Sequence, residues 1–144
     1  MTGLLDTSFI IQEFVPRRVY EVWGEKSIWF INPNMIRFAQ WLKDRTGSTV
    51  IINDWCFGGS YQFSGLRPFD CKIGARLSQH RFGNAIDVKV KGWDAEDVRN
   101  LIIEHWKFLH ETFGLTTMEL DTPTWTHVDF RFTNLDHLFL VKYQ

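Results

Sequence analysis

Apolar residues along this chain recur with two periods, and each period predicts an element. Over 32–47, NPNMIRFAQWLKDRTG, the residues Met35, Phe38, Ala39 and Leu42 fall on one stripe of a helix. Asn32 can cap that helix, Pro33 suits its first position and Gly47 its end. A shorter helix is expected in 15–24, with Pro16 at its first position and Gly24 just past its end. The longest periodic run is 94–114, capped by Asp94 and closed by Gly114. Its core stripe is Val98, Leu101, Ile102, Trp106, Leu109 and Phe113. Strand patterns lie elsewhere. STVIIND (48–54) is a β-rich run, and AIDVKV (85–90) alternates, with Ile86, Val88 and Val90 on one face and Asp87 and Lys89 on the other. The tail 116–132 reads as two strands around a turn at Thr122-Pro123-Thr124. Trp125, His127, Asp129 and Arg131 then share one face, and Val128, Phe130 and Phe132 the other. An odd-numbered loop puts Glu119 opposite His127 and Asp121 opposite Trp125; an even-numbered one puts Met118 and Leu120 against His127. Residues 54–79 are rich in Gly, Ser and Pro and show no period, as expected of a long functional loop. The pattern as a whole predicts an α+β fold, a small mainly antiparallel sheet packed with helices, in a single domain over 1–144.

Composition narrows the partners. The formal net charge is −1, and Lys and Arg are scattered without a run, so neither nucleic acid nor an acidic membrane surface is expected as a partner. No apolar stretch approaches the roughly 20 residues of a membrane span, and the N-terminal sequence lacks a positive stretch followed by a long apolar run. Synthesis in the cytoplasm without a signal peptide is therefore expected, and a monomer. The 13 Phe, 7 Trp and 3 Tyr argue for a rigid body with an aromatic-lined cleft. Cys56 and Cys71 form neither a CxxC pair nor a disulfide framework, and read as buried free thiols.

The candidate chemistry starts in SQHRFGNAID (78–87). A loop His80 and a strand Asp87 can converge on one ion if the chain between them turns tightly, which Gly83 permits by taking positive φ. Small Ala85 keeps the approach clear. On spacing alone, a surface-loop histidine and a solvated strand aspartate are the better reading. His127 is a third candidate, because its sheet face also carries Glu119, Asp121, Asp129 and Arg131. So many polar groups on one face imply solvent or a cleft floor, and Trp125 among them favours a cleft. His105, His110 and His137 read as helix-face or tail residues with no role.

SGLRP (64–68), SQHRFGNAID (78–87) and WTHVD (125–129), in that order, resemble the M15-type zinc D-Ala-D-Ala carboxypeptidase and L-alanyl-D-glutamate peptidase superfamily. That superfamily shares its zinc fold with Hedgehog signalling domains. Ser78, His80, Gly83, Ala85 and Asp87 match five fixed positions of its central motif, a coincidence of roughly one in a million per start position at ordinary residue frequencies. The resemblance covers 64–129; the first 60 residues match only in general character. It implies a Hedgehog/DD-peptidase-like fold with His80, Asp87 and His127 as Zn²⁺ ligands. It implies Arg67 as the holder of a substrate carboxylate or of the oxyanion, with Ser78 and Trp125 as further substrate-side residues. Leu66 stands where the family has Tyr, which touches a pocket wall. The family's catalytic carboxylate, three residues before the last histidine in several members, is replaced by Thr124. Asp121, six before, matches the Hedgehog-type position, while Glu119, eight before, faces His127 in an odd hairpin; Glu119 is preferred as base, with Asp121 the alternative. The implied function is a zinc metallopeptidase that hydrolyses a peptide bond of the peptidoglycan stem peptide, of phage lysis or virion type. A catalytically inactive zinc-binding module, or a virion structural protein, is the alternative.

Overall fold

The end signals in the sequence set most helix boundaries. In the computed structural model, which describes residues 3–143, α1 spans Arg17–Trp23 and α2 spans Pro33–Thr46. Pro16 stands one position earlier than expected, as the residue preceding α1. For α2 the reading holds in detail: Asn32 Oδ1 accepts the Asn34 N–H at 2.9 Å, and Gly47 ends the helix in the left-handed region at φ 65°.

The single helix expected over 94–114 is two helices, α3 (Ala95–Glu104) and α4 (Trp106–Phe113). Asp94 caps α3 by accepting the Asp97 N–H at 2.8 Å. The break falls at His105, with φ −109° and ψ 14°. The His105 ring packs edge-on against Trp41 of α2, 5.6 Å between centroids, and accepts from Arg45 at 3.2 Å. The apolar period runs on through this break, so the sequence hides it. Trp106, expected in the core, is only partly buried.

Five strands form one sheet in the order β1-β2-β4-β3-β5. They are β1 (Val50–Ile51), β2 (Ala85–Val90), β3 (Thr117–Glu119), β4 (Thr126–Asp129) and β5 (Phe139–Val141). All neighbours are antiparallel except β3 and β5, which are parallel. The expected strand 48–54 pairs over two residues only. Past Ile51 the chain turns to other duties: Asn53 N–H donates to Glu13 O, and its side chain bonds Val15 O and the Ser64 N–H. Asp87 N–H in β2 then donates to Ser64 O of the long loop, at 2.8 Å, instead of to β1. Phe132, expected on the buried face, is 90% exposed because β4 ends at Asp129.

One sheet face is apolar. Ile86, Val88, Met118 and Val128 pack there with Met35, Ile36, Phe38 and Leu42 of α2, and with Val98, Ile102 and Leu109 of α3 and α4. Burying a Leu, Ile or Phe side chain stabilises by about 1.5–3 kcal/mol, so this layer fixes the orientation of β2 and β4. The opposite face carries the polar residues, and the loop 54–79 folds over it. Cys71 is buried and Cys56 partly so, both as free thiols. No helix among the described residues is long and apolar enough to cross a membrane.

Candidate metal centre

Ser78 starts the local structure that carries His80. Its Oγ accepts the His80 N–H at 3.3 Å, opening a 3-10 turn over Gln79–Phe82. Gly83 ends the turn at φ +66°. A Cβ there would sit 1.8 Å from Phe30 O, so the site requires glycine for space as well as for backbone sign. Asn32 N–H donates to Gly83 O at 2.7 Å, which seats the turn against the start of α2. The chain then enters β2, and the β2–β4 register sets Asp87 directly opposite His127. Directly opposed residues place their Cβ atoms about 5 Å apart.

His80, Asp87 and His127 converge. One donor atom from each lies within 4.8 Å of the other two, so together they can hold a metal ion. Asp87 Oδ1 is 3.2 Å from His80 Nε2 and 3.0 Å from His127 Nδ1. The far nitrogen of each ring settles the tautomer. His80 Nδ1 meets Gly65 O at 2.9 Å and His127 Nε2 meets Asp129 Oδ2 at 2.9 Å, and both of those partners only accept. Each far nitrogen therefore carries its proton, and the near nitrogens offer lone pairs to the point they share with Asp87. Three acceptors facing one point need a cation or shared protons between them. Imidazole rings held from behind by a carbonyl and a carboxylate are the usual support of metal-bound histidines. Two nitrogens and one carboxylate oxygen also leave room for a further ligand.

Electrostatics agree with that geometry. Burial opposes the charge on Asp87, yet His80 and His127 hold its carboxyl far below the usual range. Burial likewise opposes a charged His127, but hydrogen bonds from Asp129 and Asp87 carry its pKa up to about 9. Asp129, wholly buried, is held at about 2 against its burial by Arg131 and His127. Arg131 Nε and Nη2 donate to its two oxygens at 2.7 and 2.6 Å. In the metal-free protein these contacts favour the protonated form of His127.

The other candidates divide. The β3–β4 pairs Thr117–Asp129 and Met118–Val128 continue to Glu119 opposite His127, the odd register. Glu119 is half-buried, and burial raises its pKa, with His127 pulling the other way. Asp121 is exposed, is absent from the cleft wall, and accepts the Tyr143 N–H at 2.7 Å. Arg67 is buried beside this triad: its Nε donates to Phe63 O at 2.7 Å and its Nη2 to Asp87 Oδ2 at 3.2 Å. A Cβ on Gly74 would lie 2.5 Å from Nη1, so that glycine clears space for the guanidinium. Leu66 joins the core instead of the cleft. Trp125 stands in the cleft wall, edge-on to Tyr143 at 5.2 Å. The cleft has a volume of about 840 Å³, with Glu119, Arg67, Arg131, His80, Asp87 and His127 on its walls.

Sequence reasoning passed over two supports of this centre. Asp129 was visible on the face of His127, two residues along the strand, and a His-x-Asp strand pair is a readable signal for an oriented ring. The Gly65 carbonyl had no such signal, because it is aimed by Leu66 N–H bonding to Phe14 O from a distant segment. His110 bonds the Leu115 carbonyl at 3.0 Å and stands apart from the centre, as expected. Comparison of the chain with protein-family models, with curated proteins and with solved structures finds no match.

Proposed function

We propose that this chain is a zinc-dependent peptidase acting on the peptide stem of peptidoglycan, with the fold type of the D-Ala-D-Ala carboxypeptidases that its motifs resemble. One observation carries the reading: His80 Nε2, His127 Nδ1 and Asp87 Oδ1 face a single point on a cleft floor, with both far ring nitrogens already bonded. The donor set suits zinc, since imidazole and carboxylate are common ligands for it. A zinc ion bound there supplies a Lewis acid and a water acidified toward neutral pH.

The chain's own residues do the rest. Glu119, one strand across from His127, accepts a proton in the cleft and returns it to the leaving amine. Its burial-raised pKa suits both directions of that transfer better than an exposed carboxylate would. Arg67, fixed by Phe63 O and Asp87, keeps Nη1 for the oxygen of the scissile carbonyl. Trp125 and Tyr143 form an apolar wall for the peptide. The test is mass spectrometry of purified muropeptides after incubation with the protein, with and without added zinc. A zinc-dependent cut in the stem supports the reading. Stoichiometric zinc without any cut would instead identify a binding module, and absence of zinc uptake would refute both.

A further inference from the structure

We infer that Arg67 is a positioning residue for the metal, which holds Asp87 to ligation through one oxygen and so keeps a coordination position open. This rests on the metal-binding half of the reading above and not on peptidase activity. The two carboxylate oxygens of Asp87 have divided partners. Oδ1 faces His80 Nε2 and His127 Nδ1, at 3.2 and 3.0 Å. Oδ2 accepts from Arg67 Nη2 at 3.2 Å, and among the described residues it has no other partner. The guanidinium is anchored where it stands. Arg67 Nε donates to Phe63 O at 2.7 Å, and its backbone N–H donates to His80 O at 3.0 Å. The neighbours of Arg67 complete the frame: Gly65 O meets His80 Nδ1 at 2.9 Å, and Ser64 O accepts the Asp87 N–H at 2.8 Å. Residues 64–67 thus grip both His80 and Asp87, each through backbone and side chain.

A carboxylate can bind a metal through one oxygen or through both, and the choice decides what the site can do. Structural zinc sites are closed by four protein donors, whereas catalytic ones have three and an open fourth position. Two imidazoles and Asp87 on one oxygen make three donors. Asp87 on both oxygens makes four and closes the site. Arg67 settles which. Its charge is permanent and its planar fork is held by a second acceptor, so it stays against Oδ2. A metal sharing that oxygen would lie close to another cation in a largely buried place, where like charges repel strongly. The metal therefore takes Oδ1, the oxygen that both rings already face.

The test is a crystal structure of the zinc-loaded protein beside one of zinc-loaded Arg67→Met, with the absorption spectrum of the cobalt(II) forms as the solution measurement. Wild type should hold the metal through Oδ1 of Asp87 alone. Its cobalt spectrum should shift when imidazole is added, because a neutral ligand can enter the open position whatever the charge nearby. Arg67→Met should bind zinc as tightly as wild type or more tightly, through both oxygens of Asp87, and its cobalt spectrum should ignore imidazole. Loss of an ordinary supporting contact would instead weaken metal binding about 10–100-fold; that result, with Asp87 still on one oxygen, overturns the inference. Lys142→Met, which removes a different cation from the cleft wall, should respond to imidazole as wild type does. Wild type alone can also refute: Asp87 on two oxygens, or a cobalt spectrum indifferent to imidazole, overturns the inference even if Arg67→Met fails to fold. A wild type that takes up no metal sinks this inference together with the reading it rests on. An open metal site that leaves muropeptides uncut would sink only the enzymatic reading.

Discussion

Zinc uptake and metal-free stability should respond to pH with opposite slopes, because both turn on one proton of His127. In the metal-free fold Asp129 and Asp87 raise the pKa of this ring from 6.5 to about 9. A group whose pKa is raised by folding stabilises the fold fully below its unfolded value. That contribution is then lost as pH climbs through the folded value. A rise from 6.5 to about 9 corresponds to about 3 kcal/mol. In a domain of this size that is about 10 °C of thermal midpoint. The metal-free protein should therefore lose about 10 °C between pH 6.5 and pH 9. Zinc must displace the same proton, so its apparent affinity should rise about tenfold per pH unit over that interval. From pH 7 to pH 9 this is about 100-fold, or about 3 kcal/mol. Differential scanning calorimetry in chelator reads the first slope. Competition with a zinc chelator reads the second, and titration in buffers of different ionisation enthalpy counts the proton, expected at about one per ion below pH 8. A metal-free midpoint that stays flat or rises across the window would refute the argument. So would zinc uptake without proton release.

Three substitutions test the supports. Gly83→Ala should destabilise the protein by more than the about 1–2 kcal/mol of a left-handed residue alone, because its Cβ meets Phe30 O at 1.8 Å; chemical denaturation measures it, and a near-neutral effect would contradict the fit. Glu119→Gln should keep zinc and lose most turnover on muropeptides, while Asp121→Asn, whose carboxylate faces the Tyr143 N–H, should retain turnover; if both variants stay active, Glu119 is not the base. Arg99 of α3, nearly buried, donates to Thr122 O and Oγ1 at 3.0 and 2.9 Å and so holds the hairpin turn. Arg99→Met should cost about 2–3 kcal/mol and lower kcat with zinc retained; an unchanged kcat would show that the turn holds Glu119 without it.

The sequence carried the site further than it carried the fold around it. Caps, a left-handed glycine and strand alternation are local, so Asn32, Asp94, Gly83 and the faces of β2 and β4 could be read directly. Whether Glu119 faces His127 hung on whether a loop was odd or even, which only paired strands decide. The β5 strand was invisible because its three residues pair in parallel with β3 from about 20 residues away. The kink at His105 was hidden for a different reason: the apolar stripe continues through it, and packing on Trp41, not periodicity, marks the place.

The odd hairpin has a consequence for how this gene can vary in length. Side chains alternate faces along a strand, so adding or removing one codon between Glu119 and His127 would swap Glu119 for Met118 or Leu120 on the cleft floor. His80, Asp87 and His127 would be untouched and the sheet could still close, yet the carboxylate would point into the core layer. Changes of two codons restore the alternation. Viable insertions and deletions in this turn should therefore come in even numbers, a reading frame within the reading frame.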